Sequence, residues 1–406
     1  MADCDGAVPK RFRAGTHRTV DPEATLARVL PLAPRMGITR VAVLTGLDVI
    51  GIPVAAAVRP NSRSIAVHQG KGVTLAAAKA SAVMEAVETF HAENLALPLR
   101  LAAFGELDAA VDPALLPRAA GRDGIDRRLL WVAARELMSG GTVWVPHELV
   151  SADYTDPLPA GAGVFQATTN GLASGNHWLE AVLHGLYEAV ERDAIALWRA
   201  APERAQDARA VDPSSIDAPT SRSLIAAFDR AGVMLRIWDL TSDIALPVFL
   251  CLAASPDDSV EPELGSGCHA DADVALARAL TEAAQARLTR ISGARDDFAA
   301  ASYRPSVRSG RHEAARRWLR MPASRSFHAA PSCAGASLRD DLETALARLS
   351  RAGVRQVAHV DLTRAEFAIP VARVIIPGLE GPWTPPGGEY SPGARAVAQG
   401  AGGHSH

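Results

Sequence analysis

Two stretches far apart in the chain carry carboxylates at helical spacing with almost no basic residue beside them. In SAVMEAVETFHAENLA the polar set is Ser81, Glu85 and Glu88; in GNHWLEAVLHGLYEAVERDAIALW it is Asn176, Glu180, Glu188 and Glu191. At about 3.6 residues per turn, each set falls on one face of its own helix. The other faces are built from Val, Leu, Met and Trp, so both helices are expected to be mostly buried. Neither Ala80–Leu99 nor Gly171–Glu191 contains a Lys or Arg, so pairs within the helix cannot neutralise the acids. A half-buried carboxylate without a partner takes up a proton or costs several kcal/mol, and an oxygen-seeking divalent cation is the usual remedy. Magnesium is the natural candidate, although a solvated acidic face on a surface helix fits the same spacing. The entry to the second helix, NGLASGN, weighs against that alternative. Asn170, Gly171, Gly175 and Asn176 offer turn geometry and free backbone donors at a helix start, which suits a phosphate, although Gly and Asn also simply make turns. His184 shares the face of Glu180, Glu188 and Glu191 and could move a proton, as could His177; a packed structural histidine is the competing reading.

Those helices need a sizeable scaffold, and 406 residues with 48% hydrophobic content supply one. A net charge of −3 gives no electrostatic footprint for nucleic acid or for an anionic membrane surface. No apolar run reaches the ~20 residues of a membrane helix, and the opening MADCDGAVPKRFRAG lacks a signal-peptide core, so a cytoplasmic location is expected. Cys4, Cys251, Cys268 and Cys333 form no close pair, which suggests neither a disulfide framework nor a zinc site.

Three segments share one pattern: GITRVAVLTGLDVIGIPVAAAVRP from Gly37, GVMLRIWDLTSDIALPVFLCLA from Gly232, and GVRQVAHVDLTRAEFAIPVARVII from Gly353. In each, an apolar strand runs to an Asp (Asp48, Asp239, Asp361), and a turn leads through Ile-Pro or Leu-Pro to a second apolar strand. The recurring Asp is read as a turn former rather than a catalytic group. Amphipathic helices are predicted over Thr74–Asn94, His177–Arg199, Ser221–Ala231, Asp273–Ile291 and Asp340–Arg351. The fold class is therefore α/β in the α+β sense, with helices packed on mixed, largely antiparallel sheets. Phe104–Asp126, Ala201–Thr220, Ala254–Gly267 and Gly293–Ser332 read as irregular, substrate-facing loops. Residues 384–406, rich in Pro, Gly and Ala, read as a partly disordered tail behind one domain over 10–383.

Together these motifs resemble the YcaO superfamily, whose members use ATP and Mg2+ to activate a peptide backbone amide. The resemblance rests on GKG at Gly70–Gly72, SAVMEAVE at Ser81–Glu88, NGLASGN with Glu180, Glu188, Glu191 and Arg192, and ALTEAAQARL at Ala279–Leu288. It runs from about Lys10 to Pro382. Within the superfamily, KRFRAGTHRTVDPEATL, GITRVAVLTGLDVIGIPV and PGLEGP look most like the TfuA-associated branch, linked to backbone thioamide formation. By position, the resemblance implies an ATP site from Ser81, Glu85, Glu88, Asn176, Glu180, Glu188 and Glu191. The metal ligands would be Glu85, Glu88, Glu180, Glu188 and Glu191, with Glu188, Glu191 and His184 as catalytic candidates. Lys71, Arg192, Glu282, Gln285 and Arg287 match more loosely, as phosphate contacts or supports; for Arg192 and Arg287 a structural ion pair is an equal reading. Lys10, Arg11, Arg13 and Arg18 could cover the triphosphate, although a solvated arm is the plainer reading. Two departures stand out. Thr89 replaces the Arg that many relatives carry after the first acidic motif, and the proline-alternating tail of azoline-forming members is missing. The resemblance also implies a peptide or protein substrate, a TfuA-like partner, an external sulfur donor and a possible homodimer.

Overall fold

Each of the three predicted strand pairs forms, and each lies in a different sheet. The computed structural model describes residues 6–119, 126–159, 161–294, 304–382 and 392–401. The first pair, β1 (Arg40–Val43) and β2 (Val54–Val58), continues into β3 (Val67–Lys71) as a three-stranded antiparallel sheet. The second, β8 (Met234–Asp239) and β9 (Val248–Ala254), continues into β10 (Glu263–Cys268) in the same way. The third, β11 (Ala358–Asp361) and β12 (Val371–Ile375), sits inside a larger sheet. There β4 (Leu99–Ala102), β5 (Leu129–Glu136), β11, β12 and β7 (Leu172–Ser174) lie in that order, with β6 (Thr142–Pro146) also on β5. Every named strand pair is antiparallel. The recurring aspartates are turn formers, as the sequence suggests. Asp48, Asp239 and Asp361 accept from the amides of Val49, Thr241 and Thr363 at 2.8, 2.9 and 2.9 Å.

The predicted helices appear within about two residues of their expected bounds. They are α2 (Leu75–Glu93), α3 (Trp178–Ala200), α5 (Pro219–Arg230), α6 (Ala272–Ser292) and α8 (Leu338–Arg351), joined by α1 (Pro22–Val29) and the short α4 (Glu203–Asp207). Three of them root in separate apolar clusters. Val83 and Val87 of α2 pack with Val132, Val145 and Ile369; Leu179 and Leu186 of α3 with Leu250, Leu349 and Val374; Leu276 and Leu280 of α6 with Phe228, Phe249 and Cys251. Every one of these residues is buried, so each helix is fixed independently before its polar face meets the others.

Three expectations are corrected, and one segment of the tail is placed. The segment read as the loop Ala254–Gly267 contains most of β10, whose ELGSGC sequence is too glycine-rich to read as a strand. The segment Gly293–Ser332 contains α7 (Pro305–Arg320), an Arg-rich helix that buries only His312 and Ala315. The tail is not loose throughout: α9 (Ala394–Ala401) is helical, while 383–391 and 402–406 lie outside the described residues. Polar contacts rather than a core hold α9. Arg395 pairs with Asp193 at 3.0 Å and Asp243 at 2.6 Å, and Glu380 accepts from the amides of Gly393 and Ala396. Finally, the basic opening is no solvated arm at Lys10, whose ammonium is fully buried 2.6 Å from Asp341. No helix among the described residues is long and apolar enough to cross a membrane.

Candidate active site

Close backbone approach brings the acidic helices to their strands. A Cβ on Gly70 of β3 would lie 2.0 Å from the amide nitrogen of Ala82 in α2. A Cβ on Gly265 of β10 would lie 2.1 Å from that of Ala283 in α6, so only glycine permits either packing. The start of α2 is capped by Thr74, whose hydroxyl accepts from the amide of Ala77, and α3 begins four residues after β7 ends with His177 as its cap.

On this frame the polar faces of α2, α3 and α6 meet. Glu88 of α2 accepts from the amide and the hydroxyl of Ser174 on β7 at 2.8 and 2.7 Å. Along α3, Arg192 lies 3.7 Å from Glu188 and 3.0 Å from Glu191. Ser266 on β10 donates to Glu191 at 2.7 Å and to Glu282 of α6 at 3.3 Å. Lys71, the last residue of β3, makes a short ion pair with Glu282. A continuous chain of charge thus runs from Glu188 through Arg192, Glu191, Ser266 and Glu282 to Lys71, joining four elements. Burial pushes the Glu282 carboxyl upward, but Lys71 and Arg192 bring it below its ordinary range.

Glu88 and Glu188 are in a different electrostatic state. Burial raises the Glu88 carboxyl to about 8, against the Ser174 hydrogen bonds and with Glu85 and Glu188 adding to it. Glu188 is raised in turn by burial, opposed by Arg192 and reinforced by Glu191. A raised carboxyl with two further carboxylates around it, from two helices, is the donor set that a hard divalent cation neutralises, and its arrival would release the proton held at Glu88. These residues therefore fit Mg2+ on their own chemistry. Ser81 lies one turn before Glu85 on the same side of α2 and is half-buried.

The remaining predicted residues divide. Glu180 is 2% exposed and already well bonded: Oε1 accepts from the Thr19 amide and hydroxyl, both at 2.6 Å, and Oε2 accepts from the Asn176 amide at 2.8 Å with Arg18 at 3.7 Å. A cation there would exchange with Arg18. Asn176 itself donates from its side chain to Thr25 at 2.9 Å. Gln285 donates to the Gln69 carbonyl at 3.0 Å and straps α6 to β3.

Two candidates have strong partners of their own. Arg287 is 1% exposed, and its guanidinium is taken up by both oxygens of Asp48, at 3.0 and 3.2 Å, and by Ser255. Of the two readings the sequence leaves open, this is the geometry of the structural ion pair. His184 accepts at Nε2 from Arg278 at 2.9 Å, and burial followed by Arg278 depresses its basicity well below the ordinary value. Both effects favour the neutral ring, whose Nε2 holds Arg278. Arg278, Ser174 and Ser266 escaped the sequence reading. Ser174 lies inside NGLASGN and was legible there; Ser266 sits in the strand misread as a loop. A buried trio, His17, His269 and Asp341, also has ligand atoms within 4.8 Å of one another, but Lys10 already serves as its cation.

Comparison with known proteins gives this geometry a context. Residues 69–380 match the family described as YcaO cyclodehydratase, ATP- and Mg2+-binding. An uncharacterised protein in the tfuA 3′ region of Rhizobium leguminosarum bv. trifolii is 38% identical over 391 residues, covering 91% of each chain. An uncharacterised protein of Methanothermobacter thermautotrophicus is 37% identical over 379 residues, 89% of this chain and 95% of that one. Among solved structures, YcaO from Methanopyrus kandleri bound with AMPPCP and Mg2+ superposes with a TM-score of 0.73 at 25% identity, covering 92% of this chain and 95% of the other. A heterocyclase in complex with substrate and cofactor gives 0.77 at 24% identity; the match covers 92% of this chain but 54% of that larger one, and it shows a shared fold. Since the matched segment takes in every carboxylate of the site and most of the chain, the protein belongs to the YcaO family.

Proposed function

We propose that this protein uses ATP and Mg2+ to phosphorylate the oxygen of a peptide backbone amide and replace it with sulfur, giving a thioamide, with a TfuA-like partner and an external sulfur donor. The observation that carries the ATP and Mg2+ part is the raised Glu88 carboxyl, pushed up by burial and by the neighbouring Glu85 and Glu188 from two helices, beside the Ser174 to Asn176 turn. The thioamide part draws its support from the relative in the tfuA 3′ region and from the TfuA-like motifs of the chain.

When bound, the cation and nucleotide supply a phosphoryl group to an amide oxygen that is otherwise a poor leaving group. Glu85, Glu88 and Glu188 would hold the metal, and Glu180 would join them on exchange with Arg18. Glu191 and Glu282 pair with Arg192 and Lys71 and fix them in place, which makes them positioning residues for the phosphate side. Arg278, steered by His184, adds a further cation. In the overall exchange hydrosulfide adds to the amide carbon, the oxygen leaves as phosphate, and the hydrosulfide proton ends on that phosphate. The second reading is azoline formation, in which a substrate Cys, Ser or Thr side chain is the nucleophile; the wide superposition on a heterocyclase favours it. Product mass separates the two: a gain of about 16 Da marks oxygen-to-sulfur exchange and a loss of about 18 Da marks cyclodehydration, as elemental balance requires once phosphate carries the oxygen away. Before any substrate is known, calorimetric titration with ATP, with and without Mg2+, tests the shared part. Metal-independent or absent binding, with a TfuA-like protein present, would remove the reading.

A further inference from the structure

A pocket adjoins the acidic site that none of the residues discussed so far explains. It lies between β12 and the segment leading into β7, and it reaches α3 at Ala189, the neighbour of Glu188. Leu116, Leu149 and Ile375 are among its apolar lining residues, and Asn170 and Arg373, with Gln166, Thr168 and Glu380, supply its polar lining. Arg373 stands on β12 opposite Leu172 of β7 and is 2% exposed. One nitrogen, Nη2, donates to the Thr168 carbonyl at 2.5 Å, while Nε and Nη1 are buried with no hydrogen-bond partner. The side-chain oxygen of Asn170 is likewise buried and unsatisfied. A guanidinium with two unmet N–H directions and an amide oxygen with none met, in one pocket, carry a desolvation cost that each group would shed on meeting its complement.

The complement is specific. Arg373 calls for an oxygen acceptor, Asn170 for an N–H donor, and the apolar lining for apolar surface. A phosphate or a free anion would satisfy the guanidinium but would set its own oxygens against the Asn170 oxygen. A peptide group satisfies both, its carbonyl toward Arg373 and its N–H toward Asn170, with an uncharged side chain against Leu116, Leu149 and Ile375. The pocket's place beside Glu188 puts such a group next to the carboxylates assigned to the metal.

We infer that this pocket binds the backbone amide of the acceptor peptide, with Arg373 and Asn170 as its binding residues and a preference for an apolar side chain. The inference rests on the peptide-modifying reading above, and its test is separable from that reading. N-acetylleucine N-methylamide serves as the probe in ligand-observed NMR titrations of the full chain, with and without Mg2+·AMPPCP. The wild type should bind it, and Arg373→Met and Asn170→Ala should each weaken it by about tenfold or more, the scale of one lost buried hydrogen bond to a charged or amide group. Calorimetry on the same proteins should show Mg2+·AMPPCP affinity within about twofold of wild type for Asn170→Ala, and for Arg373→Met, whose guanidinium acts electrostatically on Glu188, a smaller change than in probe binding. Failure of the wild type to bind the probe, or equal binding by both variants, overturns the pocket. So does loss of nucleotide affinity in Arg373→Met with probe binding intact, which would make the guanidinium a phosphate contact. If Arg373→Met does not fold, Asn170→Ala decides alone. If the wild type binds no nucleotide, the function falls while the probe titration without nucleotide still decides the pocket.

Discussion

Glu88 on α2 and Ser174 on β7, 86 positions apart, are joined by two hydrogen bonds to one carboxylate oxygen, from the serine amide at 2.8 Å and its hydroxyl at 2.7 Å. This contact fixes the first acidic helix against the turn that opens the second. Burial there outweighs the two hydrogen bonds and raises the Glu88 carboxyl to about 8, and measurable consequences follow.

Metal-free stability should fall with rising pH between about 4.5 and 8. The unfolded Glu88 carboxyl loses its proton near 4.5 while the folded one keeps it to about 8, so over that window the unfolded state binds fewer protons. Urea denaturation at pH 5, 6.5 and 8 measures the slope, and Glu88→Gln should flatten it. A slope unchanged by the substitution would contradict the assignment.

Binding of Mg2+·ATP near pH 7 should release close to one proton, because the cation takes the place of the proton on Glu88. Calorimetry in buffers of different ionisation enthalpy reads the number directly. In Glu88→Gln the release should vanish.

Glu188→Gln should cut Mg2+-dependent ATP affinity by about tenfold or more while leaving circular dichroism and thermal unfolding near wild type. The group is partly accessible and raised by burial, so neutralising it relieves rather than strains the fold. Unchanged affinity would remove Glu188 from the metal site.

Arg287→Met should destabilise the fold by about 3–5 kcal/mol, since it strands the buried Asp48 carboxylate. Nucleotide affinity of the folded protein should stay within about twofold, and Asp48→Asn in the same background should restore part of the loss. A selective fall in ATP affinity would reinstate Arg287 as a phosphate contact.

His184→Gln should leave the acid side of the activity profile in place. The wild-type ring is neutral well above its depressed ionisation and acts only as an acceptor for Arg278, a task that glutamine can share. Loss of an inflection near pH 6.5 would show that the ring titrates during turnover.

Periodicity and turn chemistry, which are local, were enough to place the strand pairs at Asp48, Asp239 and Asp361 and the helices carrying Glu85, Glu88, Glu180, Glu188 and Glu191. Apolar spacing dictates which face of a helix or strand is buried, and Asx turns need only neighbouring residues. Partnership across the chain was not legible. The windows around the acids contain no base, yet Arg18 reaches Glu180, Lys71 reaches Glu282, and Arg192, one residue beyond its window, reaches Glu188 and Glu191. Nor did spacing separate Arg287, held by Asp48 across 239 positions, from a phosphate-binding arginine, or show that Lys10 is buried against Asp341. Local sequence thus determined which elements form and which residues share a face. The charge state of each acid depended on burial, and the pairing of Arg18, Lys71 and Arg287 on groups far away in the chain, which only the packed tertiary structure decides.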